Sequence, residues 1–168
     1  APPDPRPLFN QPGIAHADRV ILVEGEKCAQ ALIDVGHCAT TAMHGANAPI
    51  DKTDWSPVQG KHVLIWPDRD KPGWEYAMNA AEAVMAAGAQ QCAVLMPPSN
   101  PTAQDPQGTA DGWDAADAIA EGFDVEAFLA HGERIQFQPS TPDITQTADP
   151  TEQSVCATDD ALALTFSG

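Results

Sequence analysis

Basic residues are scarce in this chain. Lys and Arg number 8 against 24 Asp and Glu, a net charge of −16 over 168 residues. A domain that grips nucleic acid unaided carries a basic stripe, because phosphate neutralisation dominates that affinity. Cations this few and this dispersed exclude that mode, so metal ions or neighbouring domains must supply positive charge to any polyanionic substrate. Long apolar runs are absent too. None approaches the roughly 20 residues that cross a bilayer, and the leading APPDPRPLFNQPG has no secretory-type apolar stretch. A soluble, cytoplasmic protein with no membrane partner is expected. Close cysteine pairs are also missing. Cys28, Cys38, Cys92 and Cys156 are scattered, with no histidine at finger spacing, which argues against a structural zinc site. Three of them sit in apolar stretches, where buried reduced thiols are expected. His16, His37, His44, His62 and His131 form no ligand pattern and read as structural or surface residues.

What is present is a globular composition, 43% apolar, in a length suited to one domain and a tail. Residues 1–17 are Pro-rich and read as an extended lead-in. Val20–Val23 is an uninterrupted apolar run, as in a strand covered on both faces. Glu26–Val35 carries Ala29, Leu32 and Ile33 at helical spacing and stops at Gly36. A second strand is expected over Cys38–Met43, an irregular stretch over Asn47–Gly60, and a third strand over His62–Trp66. A helix over Pro72–Ala87, a fourth strand over Cys92–Met96, a polar loop over Pro97–Thr109 and short helices over Asp114–Glu121 and Val125–Ala130 complete a wound α/β pattern. Residues 18–138 form the expected domain. Residues 139–168 read as a linker, ending in ATDDALALTF, the truncated start of a following segment.

Open α/β sheets place their chemistry at the carboxyl ends of the strands. Glu24 follows the first strand, and Gly25 behind it is expected to let the backbone turn tightly. Asp68 and Asp70 follow the third strand and alternate to one side. If those strands are neighbours, roughly 5 Å apart, the three carboxylates converge. Acids that close repel one another unless a divalent cation binds, and all-oxygen ligation suits magnesium. Asp114 and Asp117, in GWDAADAI, could extend the site to a second ion. Each acid also has a structural reading: Glu24 as favourable charge at a helix start, Asp70 and Asp114 as helix caps, Asp68 as a turn residue. Lys27, Arg69 and Lys71 read as solvated charges or as phosphate contacts. Trp66, Trp74 and Trp113 flank the acids, where packing competes with base stacking.

VEGEKCA, TDWSPVQGKHVLIWPDRDKPG and GWDAADAI together resemble the Toprim region of primase–helicase proteins of phages and plasmids. The similarity runs from about Arg6 to Glu133. It implies a Toprim-like, Rossmann-like α/β fold: a mainly parallel sheet of about four strands with helices on both faces. It further implies a DNA primase domain performing nucleotidyl transfer, with Glu24 as general acid or base. Asp68, Asp70, Asp114 and Asp117 would then hold Mg²⁺ or Mn²⁺, with Lys27, Arg69 and Lys71 near nucleotide phosphates. Implied partners are nucleoside triphosphates, a single-stranded DNA template held through further domains, and a helicase module in the same full-length chain. The acids of GWDAADAI are spaced more widely than in bacterial primases. No basic template-binding subdomain or zinc module is visible, so the fragment is expected to bind metal and prime poorly alone. Tyr76, the single tyrosine, lies within a predicted helix with no strand-passage domains, which discounts a topoisomerase. A Toprim metal-dependent nuclease and a non-enzymatic acidic protein-binding module are the alternatives.

Overall fold

Apolar runs at 20–23, 63–66 and 92–95 have no polar face to offer solvent, so each must be covered on both sides. In the computed structural model, which describes residues 3–99 and 112–138, this is how they lie. Strands β1 (Arg19–Leu22), β2 (Ala39–Thr40), β3 (His62–Ile65) and β4 (Gln91–Leu95) run parallel, and β5 (Arg134–Phe137) is antiparallel. The order across the sheet is β2-β1-β3-β4-β5. Helices α1 (Gln11–His16) and α3 (Lys71–Ala86) cover one face. Helices α2 (Glu26–Asp34), α4 (Ala115–Ala120) and α5 (Val125–His131) cover the other.

The strand period of two divides the core cleanly. Val20, Leu22, Val63, Ile65, Cys92 and Val94 pack toward α1 and α3. Ile21, Val23, Leu64, Trp66, Ala93 and Leu95 pack toward α2, α4 and α5. From β1 the chain leaves toward β2 over one face, and from β3 it leaves toward β4 over the other. The order therefore reverses between β1 and β3, where connections diverge and open a crevice at the strand tips.

Three expectations are revised. The sheet has five strands, not about four. Arg134–Phe137, with only two apolar residues, shows too weak an alternation to be read as a strand, and its pairing is set by the otherwise open edge of β4. The 1–17 segment is not extended throughout: Asn10 (φ 58°) caps α1 by accepting from the Gly13 N–H at 3.3 Å. Leu8 and Ile14 are buried in the core. The second strand is only Ala39–Thr40, because the N-terminal segment bonds beyond it. The Phe9 N–H donates to the Thr41 carbonyl at 3.0 Å, and the Thr40 hydroxyl donates to the Phe9 carbonyl at 2.6 Å. The expected linker over 139–168, most of the Pro97–Thr109 loop and Cys156 lie outside the described residues. Among the described residues no helix is long and apolar enough to cross a membrane.

Ile14 is fully buried, so Ile14→Ala is expected to cost about 2–5 kcal/mol of stability. Urea unfolding measures this, and a loss below about 1 kcal/mol would show that the N-terminal segment is not part of the core.

Candidate functional site

Parallel pairing of Leu22 with Ile65 brings the tips of β1 and β3 side by side. Glu24 continues the alternation that points Leu22 toward α3. The Asp68 backbone N–H donates to Glu24 Oε1 at 3.2 Å, which ties the two tips together. Two glycines make room for this contact. A Cβ at Gly73 would lie 2.5 Å from Glu24 Oε1, 2.7 Å from the Asp68 carbonyl and 3.0 Å from Asp70 Oδ1. The last residue of PDRDKPG must therefore be Gly for α3 to start against the Glu24 carboxylate. Gly45 (φ +58°) is pressed against the Glu24 carbonyl, where a Cβ would collide. Gly25 has no such role. Its backbone is extended (φ −150°) and a Cβ would meet nothing within 4 Å, so the bend at Glu24 and Gly25 does not depend on glycine.

The remaining acids enter through helix starts. Asp114 caps α4, accepting from the Asp117 N–H at 2.7 Å, while Asp117 Oδ2 accepts from the Asp114 N–H at 3.3 Å. This reciprocal pair is a capping box. Asp70 caps α3 by accepting from the Gly73 N–H at 2.7 Å. Both structural readings of these acids are thus realised in the geometry. Capping uses one oxygen and leaves the carboxylate's charge in place. Asp70, Asp114 and Asp117 all act electrostatically on Asp68.

Cys28 was missed by sequence reasoning. It sits in the first turn of α2, buried where α2 packs on α4. Its sulfur and one oxygen each of Asp68 and Asp114 lie within 4.8 Å of one another. Weighing cysteines against one another hid this, since the thiol's neighbours are carboxylates distant in sequence. The available signal was position: Cys28 follows Glu24 by four residues, on the helix that leaves the strand tip. A thiol and two carboxylates at this spacing could hold a divalent ion.

These groups open on a cleft of about 680 Å³, lined among others by Glu24, Lys27, Cys28, His44, Asp68 and Asp114. Lys27 Nζ lies 3.7 Å from Asp114 Oδ2 and 3.9 Å from Asp117 Oδ1. Arg69 and Lys71 are not among the described residues that line the cleft. The Arg69 guanidinium donates to the Pro98 carbonyl at 2.8 Å and stands 5.2 Å over the Trp113 ring. Lys71 pairs with Glu75 at 3.7 Å on the surface of α3. Trp66 is buried against Phe128, with ring centroids 4.8 Å apart, and is closed to base stacking. Trp113 packs edge-on to Phe123 at 5.2 Å, and Trp74 packs against the α3-side core.

Crowding half-buried acids favours their neutral forms. Burial, then the charges of Glu24, Asp114, Asp70 and Asp117, push Asp68 up to about 7. Burial also raises Glu24, opposed by the Asp68 N–H and assisted by Asp70 and Asp114. Burial pushes the Cys28 thiol up to about 12, against the Ala116 N–H that donates to it. A divalent cation reverses this logic by favouring the charged forms. Because Asp68 is raised in the folded protein, the native state without a bound cation holds a proton that the unfolded chain releases near the ordinary value of 3.8. Stability from this group is complete below about pH 4 and declines as pH rises through about 7. Urea unfolding across that window should show this decline, and Asp68→Asn should flatten it. An unchanged slope in the variant would exclude Asp68 as its source.

No protein-family model matches the chain, and no protein of curated function matches it. Solved structures do. The primase fragment of the bacteriophage T7 primase-helicase protein is similar at 20% identity and a TM-score of 0.51, over 73% of this chain and 46% of that one. A complex of the T7 lagging-strand DNA polymerase with primase domains of two gp4 subunits, bound to an RNA/DNA hybrid and dTTP, matches at 18% identity and a TM-score of 0.43. It covers 62% of this chain and 48% of that one. The chain spans about half the length of the T7 chains it matches. At this identity the likeness to the primase fragment is one of fold.

Proposed function

We propose that this chain is the Toprim catalytic domain of a phage- or plasmid-type DNA primase, centred on residues 18–138. In this reading it carries out metal-dependent nucleotidyl transfer that makes primers on single-stranded DNA. Residues 139–168 lead toward a helicase module in the same full-length chain. One observation carries the reading. Glu24, Asp68 and Asp114, from two strand tips and a helix start, line one cleft at the β1/β3 switch point, where Asp70 and Asp117 also bear electrostatically on Asp68. The fold likeness to the T7 primase fragment is consistent with it.

The donor set fits a small divalent ion, Mg²⁺ or Mn²⁺, held by Asp68 and Asp114 with Asp70 and Asp117 adding charge around it. When bound, such an ion stabilises the attacking and leaving oxygens of a phosphoryl displacement. The chain's own residues do the rest. Glu24, raised by burial, is a stronger base than an ordinary carboxylate and accepts the proton of the attacking 3′-hydroxyl. Lys27 answers the charge of Asp114 and Asp117. Once an ion takes over that task, its exposed ammonium is free to meet the nucleoside triphosphate. Arg69 and Lys71 flank Asp70 in sequence and would meet phosphates or template beyond the cleft. With net charge −16, template binding falls to other domains of the full-length protein.

The Cys28 sulfur refines the choice of ion. Magnesium demands hard oxygen ligands, whereas manganese is higher in affinity for mixed nitrogen, oxygen and sulfur sets than the alkaline-earth ions. Mn²⁺ is therefore expected to bind more tightly than Mg²⁺, and Cys28→Ser to narrow that gap. Calorimetry with both ions measures it, and an identical gap in the variant would remove sulfur from the site. Asp68→Asn is expected to weaken Mn²⁺ binding by about tenfold or more. Absence of Mn²⁺ binding by the unaltered chain would overturn the metal reading in favour of an acidic protein-binding module. Incubation with plasmid DNA and Mn²⁺ separates the two enzymatic readings: the primase reading expects no nicking, and nicking lost in Asp68→Asn would make the chain a nuclease.

A further inference from the structure

Tyr76 is the polar residue that the proposed chemistry leaves without a task. It is 6% exposed, on the buried stripe of α3 in the core cluster on that face of the sheet, and its hydroxyl makes no hydrogen bond among the described residues. A buried hydroxyl with no partner costs free energy, and most native structures avoid one. A phenylalanine would fill the same space without that cost, so packing alone does not account for the oxygen.

Its place in the helix suggests where the hydroxyl is aimed. Gly73, Tyr76, Ala77 and Ala80 form the buried stripe of α3. Long side chains in a helix lean back toward its N-terminus, over the residue three or four positions earlier. For Tyr76 that residue is Gly73, whose missing Cβ would lie 2.5 Å from Glu24 Oε1. The phenol therefore leans toward the carboxylate against which α3 begins. Burial and the Glu24 charge both hold it in its protonated form, above the ordinary tyrosine value. It is a hydrogen-bond donor at any working pH.

Glu24 Oε1 takes its hydrogen bond from the Asp68 N–H. We infer that Tyr76 is a positioning residue, its hydroxyl donating to the Glu24 carboxylate when a divalent cation occupies the cleft and holding that carboxylate in its working orientation. This rests on the metal-dependent reading above and goes beyond it by giving Glu24 an outer partner. Glu24 lines the cleft beside Asp68 and Asp114, so its carboxylate faces the ion they would hold, and loss of a partner that orients a carboxylate at an ion typically weakens binding 10- to 100-fold.

The test uses the full chain carrying Tyr76→Phe, Glu24→Ala, or both. Mn²⁺ affinity is followed by the paramagnetic resonance of free Mn²⁺, and thermal unfolding is recorded without metal. Tyr76→Phe is expected to leave the metal-free melting temperature unchanged or raised, since it deletes an unpaired buried hydroxyl. It is expected to weaken Mn²⁺ binding by about tenfold, with no further loss when added to Glu24→Ala. Unaltered Mn²⁺ affinity in Tyr76→Phe would overturn the inference, and so would an equal loss in the Glu24→Ala background. A lowered metal-free melting temperature would also overturn it, by showing the hydroxyl already paired without the ion. Failure of the unaltered chain to bind Mn²⁺ is a distinct result, which overturns the metal reading and this inference with it.

Discussion

Two parallel strands whose tips carry acids must solve an electrostatic problem, and the surroundings of Asp68 show how this chain does so. The Asp68 N–H reaches Glu24 across the β1/β3 boundary, while Asp70, Asp114 and Asp117 crowd it from two helix starts. In water such charges would be screened. Glu24, Asp68 and Asp114 face one cleft, where burial and repulsion favour the protonated form of Asp68. Lys27 provides part of the answer from the α2 side. Repulsion at this site is electrostatic in origin and shows in the raised Asp68.

The surrounding fold serves that arrangement. Alternate residues of β1 and β3 commit one face to α3 and the other to α2, α4 and α5. As a result Glu24 is presented toward α3, and Asp68 toward Cys28 and Asp114. Gly73 and Gly45 hold their positions because the backbone of α3 and the loop after β2 must come up against Glu24 more closely than a Cβ permits. Helix capping does not consume these carboxylates. Asp70 and Asp114 each spend one oxygen on a cap, and that fixes the carboxylate at the rim of the crevice.

Much of this was legible in the residues themselves. Strands β1, β3 and β4 follow from the uninterrupted apolar runs at 20–23, 63–66 and 92–95, and α3 from proline in its first turn and a small-residue stripe. Glu24, Asp68 and Asp70 stand out because strand tips are where such folds put chemistry. Less was legible where a partner decides the structure. RIQF becomes a strand only because β4 has a free edge. Leu8 and Ile14 enter the core through an N-terminal segment whose prolines suggested an extended run. The segment over Cys38–Met43 shortens to a two-residue strand because Phe9 competes for its hydrogen bonds.

Taken alone, the order of residues determined the α/β class, the crossover helices and the alternation that aims each strand's side chains, since these depend on periodicity within ten or so neighbours. Which groups meet was decided only in three dimensions. Cys28 joins Asp68 and Asp114 through the packing of α2 on α4. Trp66 turns into the core away from any base, and Gly73 lets the start of α3 come up against Glu24. Contacts between residues 40 to 90 positions apart depend on strand order and helix placement, and no local pattern encodes those.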